Sequence, residues 1–312
     1  MQPRSAPLES RLALITAGLT FLLLLLGGVV HNTHSSLACP DWPLCNGQVF
    51  PVMKGGVLIE HSHRLLASLV GMCTIGLLAL LVRRAGVTGE RDLPRLGVGA
   101  LLLVVLQGVL GGLTVIWRLP TWTSTSHLAV SMLFFLTVLY IALRVRPQAT
   151  RAPLPSSVRG LLWAGVVLTY LQIVLGALVR HLGAGLSCID IPFCHGELWP
   201  DGGYLRAHML HRLVGVALFL VLLAVSVTTA RVARGRARLL AMLLPVLVAV
   251  QIGLGLWSVT SFLAPVQVTA HLGVAVLILA SLWVLQLGSR PRLGLLPDPQ
   301  PALGYQALEG TR

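Results

Sequence analysis

Long apolar runs separated by short polar breaks dominate this chain. Residues 12–30, 65–82, 96–117, 119–143, 160–179 and 213–230 contain no Asp, Glu, Lys or Arg. At helical rise each run is about long enough to cross ~30 Å of hydrocarbon. Residues 239–289 are equally free of charge and long enough for two spans, with a break expected at 261–265. The pattern predicts eight transmembrane helices and no strands, an all-α membrane protein. The first run is too long for a cleaved leader, and it has a duplicate inside the chain.

The polar breaks repeat. Cys39, Asp41, Pro43, Cys45, Gly47 and Pro51 return 149 positions later as Cys188, Asp190, Pro192, Cys194, Gly196 and Pro200. His63-Arg64 returns as His211-Arg212, and Gln107, Gly111 and His127 return as Gln251, Gly255 and His271. The eight spans therefore divide into two tandem four-helix bundles, a duplication of one unit. An even number of spans per unit gives both halves one orientation, related by a pseudo-twofold axis along the membrane normal. The expected divisions are an N-terminal half at 1–146, a linker at 147–158, a C-terminal half at 159–289 and a tail at 290–312.

Composition agrees. Only 11% of the 312 residues are charged, against about 25% in soluble domains. The net charge of +13 would suit a nucleic-acid surface, but the positions of the charges argue against one. Arg4, Arg11, Arg83, Arg84, Arg91, Arg95, Arg144, Arg146, Arg151, Arg159, Arg231, Arg234, Arg236, Arg238, Arg290, Arg292 and Arg312 all fall on one side of an eight-span arrangement. That bias is the positive-inside rule. It places both termini in the cytoplasm and the cysteine loops on the outer face. The partner it implies is the lipid bilayer.

Three readings of the cysteine pairs stay open. An oxidising compartment permits a structural disulfide in each loop. A short-loop pair could instead be redox-active. Zinc would need His31, His34 or His195, and the spacing departs from the usual C-x₂₋₄-C pattern. Cys73 lies within a span and reads as apolar filler.

Ionisable residues inside spans are rare and read as functional. His63, His127, His211 and His271 stand at similar depth near the loop end of four helices that run in one direction. Imidazole pairs in a bundle core can hold a flat iron porphyrin from both sides. Glycines, among them Gly27, Gly28, Gly111, Gly112, Gly176 and Gly255, allow close approach. No CxxCH occurs, so such a haem would be non-covalent. His31, His34, His61, His181 and His195 lack counterparts and read as loop residues. Arg64 and Arg212 read equally as snorkelling side chains or as partners of a haem propionate. The halves differ at one informative position: Glu60 stands three residues before His63, and His208 stands three before His211. The carboxylate reads either as a catalytic group or as a helix-end residue favourably placed in the helix dipole.

These motifs together resemble the haem A synthases of cytochrome oxidase assembly: SSLACPDWPLCNG, Glu60-x-x-His63-Arg64, AGLSCIDIPFCHG, His211-Arg212, and His127 and His271 on the fourth and eighth spans. The resemblance implies a membrane oxidoreductase that oxidises the C8 methyl of haem O to a formyl by successive hydroxylations. It implies His63 and His127 as substrate haem ligands, Glu60 as the catalytic carboxylate, and His211 and His271 as axial ligands of a haem b cofactor. It implies disulfides Cys39–Cys45 and Cys188–Cys194. Haem O synthase is the expected donor of substrate, an electron acceptor is required, and association into a homo-oligomer is left open. Two imidazoles on one iron leave no site for oxygen, so water is the expected source of the formyl oxygen. The alternative is a quinol-linked di-haem b electron carrier.

Overall fold

The computed structural model describes residues 7–146 and 154–289. Arg4, Arg151, most of the expected linker and the tail from 290 lie outside the described residues. Eight helices carry the described chain: α1 Leu8–Asn32, α2 Gly55–Thr88, α3 Asp92–Ile116, α4 Thr121–Arg144, α5 Ser156–His181, α6 Gly203–Val232, α7 Gly235–Thr260 and α8 Pro265–Gly288. All eight are long and apolar enough to cross a membrane. No strand is present among the described residues, and an all-α membrane protein is what the apolar runs predict.

Backbone chemistry explains the breaks. Between α3 and α4, Arg118 and Leu119 take positive φ, and Leu119 N–H closes back on Thr114 O at 2.7 Å. Between α7 and α8, Phe262 and Leu263 do the same, with Leu263 N–H to Ser258 O at 2.8 Å. These left-handed caps satisfy carbonyls that a helix end leaves open. Pro120 and Pro265 then start the next helix from a fixed φ. The expected break at 261–265 is thus a left-handed cap followed by a helix-starting proline.

α1, α4, α5 and α8 meet at the centre, and one apolar core runs through both halves. Side chains tie it: Trp283 Nε1–H donates to Leu136 O at 2.9 Å, and Ser10 Oγ–H to Ala142 O at 3.0 Å. α2, α3, α6 and α7 turn apolar side chains outward, including Met72, Leu102, Val105, Val216, Leu220 and Val246. So much exposed aliphatic surface suits lipid rather than water.

α2 and α6 begin well before the spans foreseen for them, at Gly55 and Gly203. His61 is therefore helical and buried rather than a loop residue, and Glu60 and His208 are buried on the same helices as His63 and His211. His63 is the ninth residue of α2 and His211 the ninth of α6. His127 and His271 are each the seventh of their helices.

Candidate functional site

Each of the four repeated histidines lies over a glycine of the preceding helix. A Cβ at Gly27 would meet His63 Cε1 at 3.0 Å, and one at Gly111 would meet His127 at 3.2 Å. At Gly176 it would meet His211 at 2.9 Å, and at Gly255 His271 at 3.0 Å. Any other residue at these positions would push the ring away. His63 and His127 are close enough to interact electrostatically, and so are His211 and His271.

Glutamines four residues before three of these glycines approach the rings. Gln172 Nε2 lies 3.1 Å from His211 Nδ1 and donates to His211 O at 2.8 Å. His271 Nδ1 faces Gln251 O at 3.1 Å, and its Nε2 lies 3.2 Å from Gln251 Nε2. A carbonyl at Nδ1 fixes the tautomer that leaves Nε2 with its lone pair. Gln107 occupies the same place on α3, whereas α1 has Leu23 there. The Gln-x-x-x-Gly spacing in three helices was the sequence signal for these residues. His63 faces the Leu23 backbone carbonyl and His127 that of Gln107, while the Oε1 atoms of Gln107, Gln172 and Gln251 are buried with no partner in the protein.

The loops above the histidines share one architecture. Cys39–Cys45 and Cys188–Cys194 are disulfide-bonded, with Cα–Cα distances of 4.6 and 4.9 Å. Cys45 pairs with Gln48, and Cys194 with Glu197, through backbone hydrogen bonds. Asp41 accepts from Gly47 N–H at 2.8 Å and Asn46 N–H at 2.6 Å, and these donors hold its carboxyl below the usual carboxylate range. Asp190 likewise accepts from His195 N–H at 3.1 Å.

Arg64 and Arg212 fasten the loops to α2 and α6. Arg64 Nη1 donates to Asp41 O at 2.8 Å and Leu44 O at 2.5 Å, and Nη2 to Cys39 O at 2.9 Å. Arg212 donates to the corresponding carbonyls of Asp190, Phe193 and Cys188. In this structure both guanidinium groups therefore have loop carbonyls as partners.

Glu60 and His208 stand at the same joint. Glu60, 3% exposed, accepts from Cys39 N–H at 2.8 Å through Oε2 and from Arg64 at 2.7 Å through Oε1. His208, 5% exposed, receives Cys188 N–H at Nδ1, 3.4 Å away. The first joint contains an ion pair, and the second contains an imidazole with no carboxylate.

Three other histidines lie away from the positions read for them. His61 is buried in α2 with both ring nitrogens unpartnered, and one of them lies within 4.8 Å of the sulfurs of Cys39 and Cys45. The disulfide uses both sulfurs, so the three do not form a thiolate metal site. His31 and His181 close α1 and α5 and stack edge to face at 4.9 Å between the halves. His181 Nδ1 lies 3.1 Å from Thr125 Oγ1. Lone histidines in polar breaks gave no periodic signal of burial.

Among the described residues, eight helices long and apolar enough to cross a membrane, four histidines set against glycines and two disulfide-bonded loops define a multi-pass membrane protein. The chain belongs to the cytochrome oxidase assembly protein family (COX15-CtaA), whose profile matches residues 10–57, 52–205 and 203–303. It is 34% identical to the heme A synthase of Symbiobacterium thermophilum over 230 residues, 70% of this chain and 74% of that protein. It is 32% identical to that of Shouchella clausii over 72% of this chain and 77% of the relative. Against that of Exiguobacterium sibiricum it is 27% identical over 81% of this chain and 86% of the relative.

Proposed function

We propose that this chain oxidises haem O to haem A in a bacterial inner membrane, with both termini cytoplasmic and the cysteine loops outside. The observation that carries this reading is the fourfold placement of an intramembrane histidine over a glycine, two in each half. Family membership and relatives named for haem A synthesis support it. The residues fit a haem. Imidazole nitrogen is an iron ligand, and the glycines clear room beside each ring.

His63 and His127 would hold the substrate in the half spanning 1–146, and His211 and His271 would hold haem b in the half spanning 159–289. Residues 147–158 join the halves, and a pseudo-twofold axis along the membrane normal relates them. Haem b, when bound, supplies a one-electron centre between substrate and acceptor. Glu60 would be the catalytic carboxylate. Its ion pair with Arg64 and the Cys39 N–H keep a negative group fixed one helical turn from His63. That charge favours a positive substrate or a water giving up a proton. Arg64 and Arg212 add positive charge next to each histidine, where propionates would be attracted at longer range. Haem O synthase would deliver the substrate.

Expression with a source of haem O, followed by haem extraction and mass analysis, tests the reading. Haem A is the expected product. Extracts that contain only haem b and haem O would instead make the chain a di-haem electron carrier.

A further inference from the structure

With Arg64 and Arg212 held by loop carbonyls, another cation stands at the loop end of α5, beside His31 and His181. α5 places Gly176 against His211 and Arg180 four residues further on, one turn nearer the loop end and on nearly the same face. Arg180 Nε–H donates to Asn32 Oδ1 at 3.1 Å. Among the described residues its two terminal nitrogens have no partner, and no carboxylate pairs with it. A guanidinium at a helix end with no carboxylate beside it is open to an anion.

The first half has a different group at the corresponding position. α1 places Gly27 against His63, and four residues on stands His31, whose Nε2 is buried without a partner. Asn32 connects the two halves: it accepts from Arg180 and donates to Thr269 Oγ1 at 3.2 Å, two residues before His271. The corresponding positions of α3 and α7 are Val115 and Val259, which carry no charge.

We propose that Arg180 binds a propionate carboxylate of the haem held in the second pocket, while the first pocket presents the His31 imidazole at the matching place. The inference rests on the reading of His211 and His271 as the haem b pair. A guanidinium is always charged, and its planar fork matches a carboxylate with two parallel N–H donors. An imidazole offers one donor and a weaker hold. The second pocket is built to retain its haem, and the first to let its haem leave as product.

The test uses purified protein loaded with haem b, with release followed spectroscopically by transfer to excess apomyoglobin. Arg180→Gln should speed release by about tenfold, the loss of one charge-assisted contact. Arg180→Lys should recover part of that. Loading with haem b dimethyl ester, whose carboxylates are blocked, should erase the difference between wild type and Arg180→Gln. Equal release by wild type and Arg180→Gln, or a difference that persists with the ester, overturns the proposal. Full haem b retention by His211→Ala would overturn the underlying pocket assignment as well. Loss of haem b in His211→Ala together with an unchanged Arg180→Gln overturns the propionate contact alone.

Discussion

The two loop–helix joints are the same object built with different chemistry. In both, an arginine collects three loop carbonyls and a cysteine N–H reaches down to a helical side chain. At the first joint that side chain is Glu60, ion-paired to Arg64. At the second it is His208, more distant and without a carboxylate. The loop folds onto the helix in either case, so the fold does not require the carboxylate. The difference is therefore free to serve chemistry in one half only, and under the proposed function it would separate a reacting pocket from a retaining one.

The largest effects should come from the histidines themselves. His63→Ala should abolish haem A formation but leave haem b content intact, whereas His211→Ala should lose haem b, read as haem per chain by absorption spectroscopy. Loss of haem b in both variants would break the comparison. Next, Glu60→His copies the second joint into the first. It should keep the loop folded and lower haem A yield by about 10²-fold or more. A haem A yield unchanged by this substitution would remove Glu60 from the mechanism. Labelled water, rather than labelled oxygen gas, should supply the formyl oxygen in mass spectra corrected for exchange.

Smaller effects should follow from the glycines. Gly176→Ala puts a Cβ 2.9 Å from His211, and Gly111→Ala one 3.2 Å from His127. Overpacking of this kind costs about 1–3 kcal/mol. Gly176→Ala should weaken haem b binding, and Gly111→Ala should raise the apparent KM for haem O by a smaller factor. The mildest change concerns pH. The Gly47 and Asn46 N–H groups hold the Asp41 carboxyl below its usual value, so its contribution to loop closure is full above about pH 4 and is lost as pH falls through its folded value. Hydrogen exchange at Asn46 and Gly47 should accelerate on acidification, and Asp41→Asn should remove that pH dependence.

Much of this was legible in the chain. Apolar runs without charge gave eight spans, and the repeat gave the histidine set and both cysteine pairs. The early starts of α2 and α6 were not legible. Residues 55–62 mix glycine, a carboxylate and histidine, and contacts from a loop some twenty residues away in sequence help to hold that extension, as Cys39 and Arg64 do at Glu60. The same reason hid His61, whose burial depends on the folded loop above it. The loop carbonyls that occupy Arg64 and Arg212 could not be foreseen either, because backbone acceptors carry no residue-type signal.

The first loop has fasteners of three independent kinds: a covalent bridge, an ion pair flanked by carbonyl contacts, and the Asp41 turn. Loss of the sulfur–sulfur bond alone would leave the other two in place. The cover is thus held by parallel attachments, and its position does not depend on any single one of them.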